Sequence, residues 1–207
     1  MAVNMQFDRE KMRAVILHIC HACEPSDLGA VKLHKVLYYL DMLTYADQRR
    51  AVTGATYRKR PNGPASDQLL FTLREMERQG DIRISEVDYH GFLKKEYIPL
   101  VSEPIGVLSP TELALLDEVI DFVCRQNTAK SIGEFSHSLP WEMADMGGEI
   151  PYRSAMLLFP MDPTPEAFEV SEEGLAEIAA AKSTTSSVDL PLLQEFRSRL
   201  LSQAGQH

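Results

Sequence analysis

Residues 31–47, VKLHKVLYYLDMLTYAD, limit the folds open to this chain more than any other stretch. Leu33, Val36, Leu37, Leu40 and Leu43 recur at spacings of three and four, which puts them on one face of an α-helix. Tyr38 and Tyr45 lie beside that face, and Tyr39, Met42 and Ala46 follow its other flank. From Leu33 to Ala46, 10 of 14 residues are apolar or aromatic. A helix apolar most of the way round belongs at the centre of a domain, with other helices wrapped over it. Ser26 and Asp27 are the candidate caps of its first turn, and Gly54 marks a turn beyond its far end. Lys32, His34, Lys35 and Asp41 break the apolar run. The two lysines sit toward the N-terminal end, where the helix dipole disfavours cations. Either their stems lie over apolar neighbours with the heads in solvent, or they form an edge that binds a partner.

Other helices follow from the same periodicity. Residues 8–23 carry Asp8 as N-cap and Met12, Val15, Ile16 and Ile19 on one face. Residues 66–79 give a helix capped by Ser66, packed through Leu69, Leu70, Leu73 and Met76, and stopped by Gly80. Residues 81–85 and 92–100 alternate as two strands with Tyr89-His90-Gly91 near the bend. Ser109, Pro110 and Glu112 form a capping box ahead of Leu113, Leu116, Val119, Ile120 and Val123, with Cys124 beside that packing face. A short helix through Ile132 and Phe135 leads to the single tryptophan, Trp141, expected to anchor a core, with His137 hydrogen-bonded beside it. Gly147 and Gly148 break the chain before Ile150-Pro151-Tyr152.

The expected class is mostly α (α+β): a central buried helix with a small β-hairpin and C-terminal helices. Residues 1–160 form the main domain. Residues 161–207 begin as a proline-rich acidic connector and continue as helices over 171–182 and 189–201. The last helix has a stripe of Leu190, Leu193, Phe196 and Leu200, suited to docking on the main domain or on a second copy, as in a homodimer.

Charge narrows the partners. Lys and Arg total 21 against 30 Asp and Glu, a formal net charge of −9, so general attraction to nucleic acid or anionic membrane is not expected. Three cysteines, an odd number, fit a reducing cytoplasm better than a disulfide scaffold. Residues 14–20 carry neither the flanks of a signal peptide nor the length of a membrane span.

Candidate chemistry is sparse. His18, Cys20, His21 and Cys23 are the densest group of possible metal ligands, but on a helix the histidines and the cysteines face different ways, so one ion could not collect all four. No glycine-rich phosphate loop and no nucleophile spaced for His137 is found, so neither an enzyme nor a cofactor is expected. Arg58, Lys59 and Arg60 are the most basic run, read as a solvated edge, and Pro61-Asn62-Gly63-Pro64 is strong turn chemistry. A helix followed by a hairpin also occurs in winged-helix DNA-binding domains, but the outward residues Asp67, Arg74, Glu75, Glu77 and Arg78 are of mixed sign. DNA binding by an autoregulator is therefore the lesser alternative.

The order of KLHKVLYYLDML, Val52-Thr53-Gly54, Gly63-Pro64, LSPTELALLDEVIDF, SIGEFSHSLPWEMA and GEIPYRSAM resembles the Panacea domain of SocA-like antitoxins and phage-associated GepA-like proteins, most strongly over residues 28–158. Leu33, Tyr38, His137, Pro140 and Trp141 belong to the matching motifs and could be structural. The resemblance implies a mostly helical antitoxin without a catalytic centre, which binds a toxin protein encoded beside it or delivers a partner to a protease. The expected contact is an exposed edge of Lys32, Lys35 and Tyr39 with Arg58, Lys59, Arg60, Gly63 and Pro64 nearby.

Overall fold

A computed structural model of the chain describes residues 5–89 and 91–158; the C-terminal helices and their apolar stripe, and His90 at the hairpin bend, lie outside the described residues. Within them the elements run α1 (Arg9–Ala22), α2 (Ala30–Gln48), β1 (Tyr57–Arg58), α3 (Asp67–Gln79), β2 (Ile82–Tyr89), β3 (Phe92–Pro99), α4 (Pro110–Ile120), α5 (Ala129–Phe135), α6 (Leu139–Glu142) and β4 (Glu149–Ile150). A π-helical turn, Asp121–Arg125, prolongs α4, and a 3₁₀ helix, Tyr152–Leu157, follows β4. The fold is mostly α with a small β part.

The middle is α2. Twelve of its residues are buried, the unbroken run Leu33, Lys35 to Thr44 and Lys32 among them. Helices α1, α4 and α5, the π turn, β3 and the 3₁₀ helix all pack against it, which is the wrapping that its apolar circumference requires. The start of α2 is not where Ser26 and Asp27 place it. The cap is Gly29, which offers no side chain, because residues 24–28 first make a turn in which Glu24 O accepts from Asp27 N and Leu28 N and which buries Leu28. The far end closes on Arg49 in the left-handed region, φ 56°. Gly54 follows with φ +66°, and a side chain there would run into the backbone of Gln6, which crosses close enough for Asp8 N to donate to Thr53 O.

Helix α1 starts as its sequence indicates, with the Asp8 carboxylate accepting from Lys11 N. Helix α3 differs in one detail: Leu70 lies outward and is 43% exposed, while Thr72 takes the buried place and donates to Gln68 O. Strands β2 and β3 form an antiparallel hairpin, Ile82 opposite Pro99. The capping box at α4 is complete, Ser109 Oγ accepting from Glu112 N while the Glu112 carboxylate accepts from Ser109 N. The π turn and the β1–β4 pair have no local signature in the sequence; both depend on partners more than 80 residues away. Among the described residues no helix is long and apolar enough to cross a membrane.

Candidate functional site

Beneath the site lies a buried carboxylate. Asp41, wholly buried on α2, accepts from Thr53 N at 2.7 Å and Thr53 Oγ1 at 2.5 Å, and lies 2.8 Å from Tyr57 Oη and 3.1 Å from Tyr152 Oη. Four segments meet on one side chain: α2, the loop after it, β1 and the 3₁₀ helix. Each phenol also has a carbonyl in reach, Leu37 O for Tyr57 and Ala55 O for Tyr152. Burial raises the pKa of Asp41, and its four hydrogen bonds only partly offset that. Tyr38, Tyr57 and Tyr152 stack edge to face around it, so the network is also an aromatic cluster.

The lysines of α2 are inside, not at an edge. Lys32 Nζ donates to Cys124 O at 2.7 Å, and Lys35 Nζ to Pro64 O at 2.9 Å. The physical reason is a pair of carbonyls aimed at them. Cys124 lies in the last turn of the α4–π helix, whose C-terminal dipole end attracts a cation, and Pro64 O belongs to the buried end of the turn. Burial lowers the pKa of Lys35 to about 7. Tyr39 is buried too, packed against Phe122 and Phe135. The expected exposed edge of Lys32, Lys35 and Tyr39 therefore does not exist on the folded chain.

The Gly63-Pro64 part of the turn is buried as well. Gly63 has φ +87°, and a methyl group on it would overlap Ser136 Oγ and Lys35 Nζ, so only glycine lets the turn seat this closely. Pro61 and Asn62 remain outside.

The basic run is spent largely on the chain itself. Arg58 pairs with Glu149 in the β1–β4 ladder and bridges to Ala65, and its guanidinium donates to Gly147 O. Lys59 exchanges backbone hydrogen bonds with residues 147 and 148, and its Nζ donates to Glu142 O and Ala144 O. That ammonium also sits 4.1 Å from the Trp141 ring centroid, a cation–π contact. Arg60, exposed, pairs with Asp67.

Trp141 is partly buried and packs against the core: its ring stacks on His137 with centroids 3.9 Å apart, and its Nε1 donates to Arg60 O at 3.0 Å. His137 is held by that stack; among the described residues its Nε2 and the Tyr39 hydroxyl are buried without a hydrogen-bond partner, while the Tyr38 hydroxyl has the Ser138 side chain beside it. Pro140 is buried in the first turn of α6, and Leu33 in the core.

These contacts bring residues 58–62 and 141–148 together in one corner, a juxtaposition that sequence spacing does not show. Its outer surface carries Arg60, Pro61, Asn62, Glu142 and Asp145 together with Met143 and Met146, which are 68% and 63% exposed. Nothing in the sequence marks these two methionines, because isolated Met residues in a loop have no periodicity.

The possible metal ligands of α1 are dispersed. His18 sits between Glu103 and Asp117, His21 Nε2 faces Val101 O, and Cys20, Cys23 and Cys124 are buried free thiols. Among the described residues no group of three or more His, Cys, Asp or Glu side chains could hold a metal ion.

Compared with known proteins, the chain matches the family described as Antitoxin SocA-like, Panacea domain, over residues 33–142. No curated protein and no solved structure gives a match. The matched span runs from the central helix through the basic turn to the Trp141 corner and covers more than half of the 207 residues. The chain belongs to the SocA-like antitoxin family, built on the Panacea domain.

Proposed function

We propose that this protein is an antitoxin that neutralises a toxin protein encoded by a neighbouring gene, by binding it directly. The observation that carries this reading is the family match, which includes every element meeting at the Trp141 corner except β4 and the residues just before it. We place the contact on that corner. Met143 and Met146 offer soft, adaptable apolar surface, and Trp141 and Arg60 are of the types that dominate protein interfaces. The stacked His137–Trp141 pair and the Lys59 contacts hold this surface in place, so little ordering remains to be done on binding. The function is binding rather than a reaction on a substrate.

The test is co-expression with the adjacent reading frame, scored by growth rescue and co-purification. Rescue with a stable complex is expected. Met143→Glu combined with Met146→Glu should abolish both while leaving the melting temperature unchanged. Absence of both toxicity and complex overturns the antitoxin reading; full rescue by the double variant removes only the corner from it.

A further inference from the structure

One histidine outside this corner is held in a way its chemistry permits only when charged. His18, on α1, has Nδ1 at 2.7 Å from a Glu103 oxygen and Nε2 at 2.8 Å from an Asp117 oxygen. A neutral imidazole has one N–H and one lone pair, so with a carboxylate at each nitrogen one contact sets a lone pair against an anion. The imidazolium donates at both ends. The carboxylates come from different places: Glu103 from the linker between β3 and α4, Asp117 from the middle of α4. One turn along α1, His21 Nε2 faces Val101 O at 2.9 Å, in the same linker.

We propose that His18 is a protonation-controlled clamp, which as an imidazolium ties the linker over residues 100–106 to α1 and α4 together, and which on deprotonation releases Glu103 and with it the linker. The linker is the part free to move, because Asp117 stands on a helix whose backbone is already fixed. It also has something to expose or withdraw. Leu100 and Val101 are 53% and 39% exposed, and Ile105 is fully exposed, so the clamp governs how an apolar strip is presented.

Among the described residues two ionisable groups act on His18, and none comes from α2, α3 or β3, which also pack against α1. Glu103 faces it from the linker and Asp117 from α4. Asp121, one turn beyond Asp117, is paired with Arg125. On α1 the residues a turn earlier, Ala14 and Val15, are apolar, and His21 is committed to Val101 O. Burial by itself would make His18 a weaker base, but the hydrogen bonds and charges of Asp117 and Glu103 outweigh it, and its pKa is raised. For a raised histidine the clamp is fully closed below its ordinary value near 6.5 and is lost as the pH rises through the raised value.

The experiment follows the His18 ring by NMR from pH 5.5 to 9 and measures hydrogen exchange at the linker amide of Leu100, whose N–H donates to Asp81 O at 2.8 Å, in the same samples, corrected for the intrinsic pH dependence of exchange. The expected midpoint lies above 6.5, with protection of the linker falling about tenfold through it, the factor that accompanies loss of one charge-assisted hydrogen bond. His18→Gln, which donates at one end only, should show the unprotected level at every pH, and His21→Gln should keep the pH step. If His18→Gln fails to fold, Glu103→Gln serves in its place: the midpoint should drop and the step in protection should disappear. A midpoint at or below 6.5, a linker whose protection is flat through the midpoint, or a step that survives Glu103→Gln overturns the proposal.

Discussion

Replacing Asp41 tests the central argument about how this domain is held together. In Asp41→Ala the two phenols keep a carbonyl acceptor each, Leu37 O and Ala55 O, so their loss is small. Thr53 loses more: its N–H points at Asp41 in a site closed to water, while its hydroxyl keeps Tyr57 Oη within reach. An orphaned buried donor costs about 1–3 kcal/mol, so this one, with a small cavity, should cost about 2–4 kcal/mol. Asp41→Asn keeps an oxygen for Thr53 N–H and places an NH₂ where three hydroxyls can turn to accept it, so its cost should be about 1–2 kcal/mol. Urea unfolding followed by circular dichroism measures both. The pH dependence adds a sign. Because Asp41's pKa is raised in the fold, its contribution is fullest below the ordinary aspartate value and is lost as the pH rises through the folded one. The advantage of wild type over Asn should therefore be largest in acid and shrink toward neutrality. An Ala variant within 1 kcal/mol of wild type, or an Asn variant as damaged as Ala, would refute the account of the network.

Three further outcomes follow from particular contacts. Gly63→Ala meets both a disfavoured φ and the overlap with Ser136 and Lys35, so it should lose about 1–3 kcal/mol and shift amide signals of residues 58–64. The Glu112 pKa is lowered because Lys11 and Ser109 outweigh the effect of burial, so Glu112 stabilises above the ordinary glutamate value and loses that stabilisation as the pH falls through its folded value. Glu112→Gln should cost about 1–3 kcal/mol at pH 7 and progressively less as the pH falls through the folded value, read by thermal melts over that range. Maleimide labelling of native protein should reach Cys23 first, since its neighbours Cys124, Arg125 and Lys32 lower its pKa, whereas burial pushes Cys20 up to about 12; equal labelling of both would contradict this arrangement.

Local rules carried much of the reading. The apolar circumference of residues 31–47 already required a central helix, and Asp8, Ser109 and Glu112 announced their helix starts, because a cap is a contact within four residues and needs no tertiary partner. The ordered motifs from Leu33 to Trp141 were also enough to point to the antitoxin family. What the sequence could not assign was the direction of its polar exceptions. Lys32, Lys35 and Asp41 look alike on a helical wheel, as charges interrupting an apolar face. Only the assembled fold supplies the carbonyls of Cys124 and Pro64 for the lysines and the donors of Thr53, Tyr57 and Tyr152 for the carboxylate. The partners of Trp141 were hidden for the same reason, since it packs partly buried against the core while Lys59 and Arg60 reach it from some 80 residues away. A charged or amphipathic side chain is buried or exposed according to whether a partner awaits it inside, and the partners here come from distant parts of the chain.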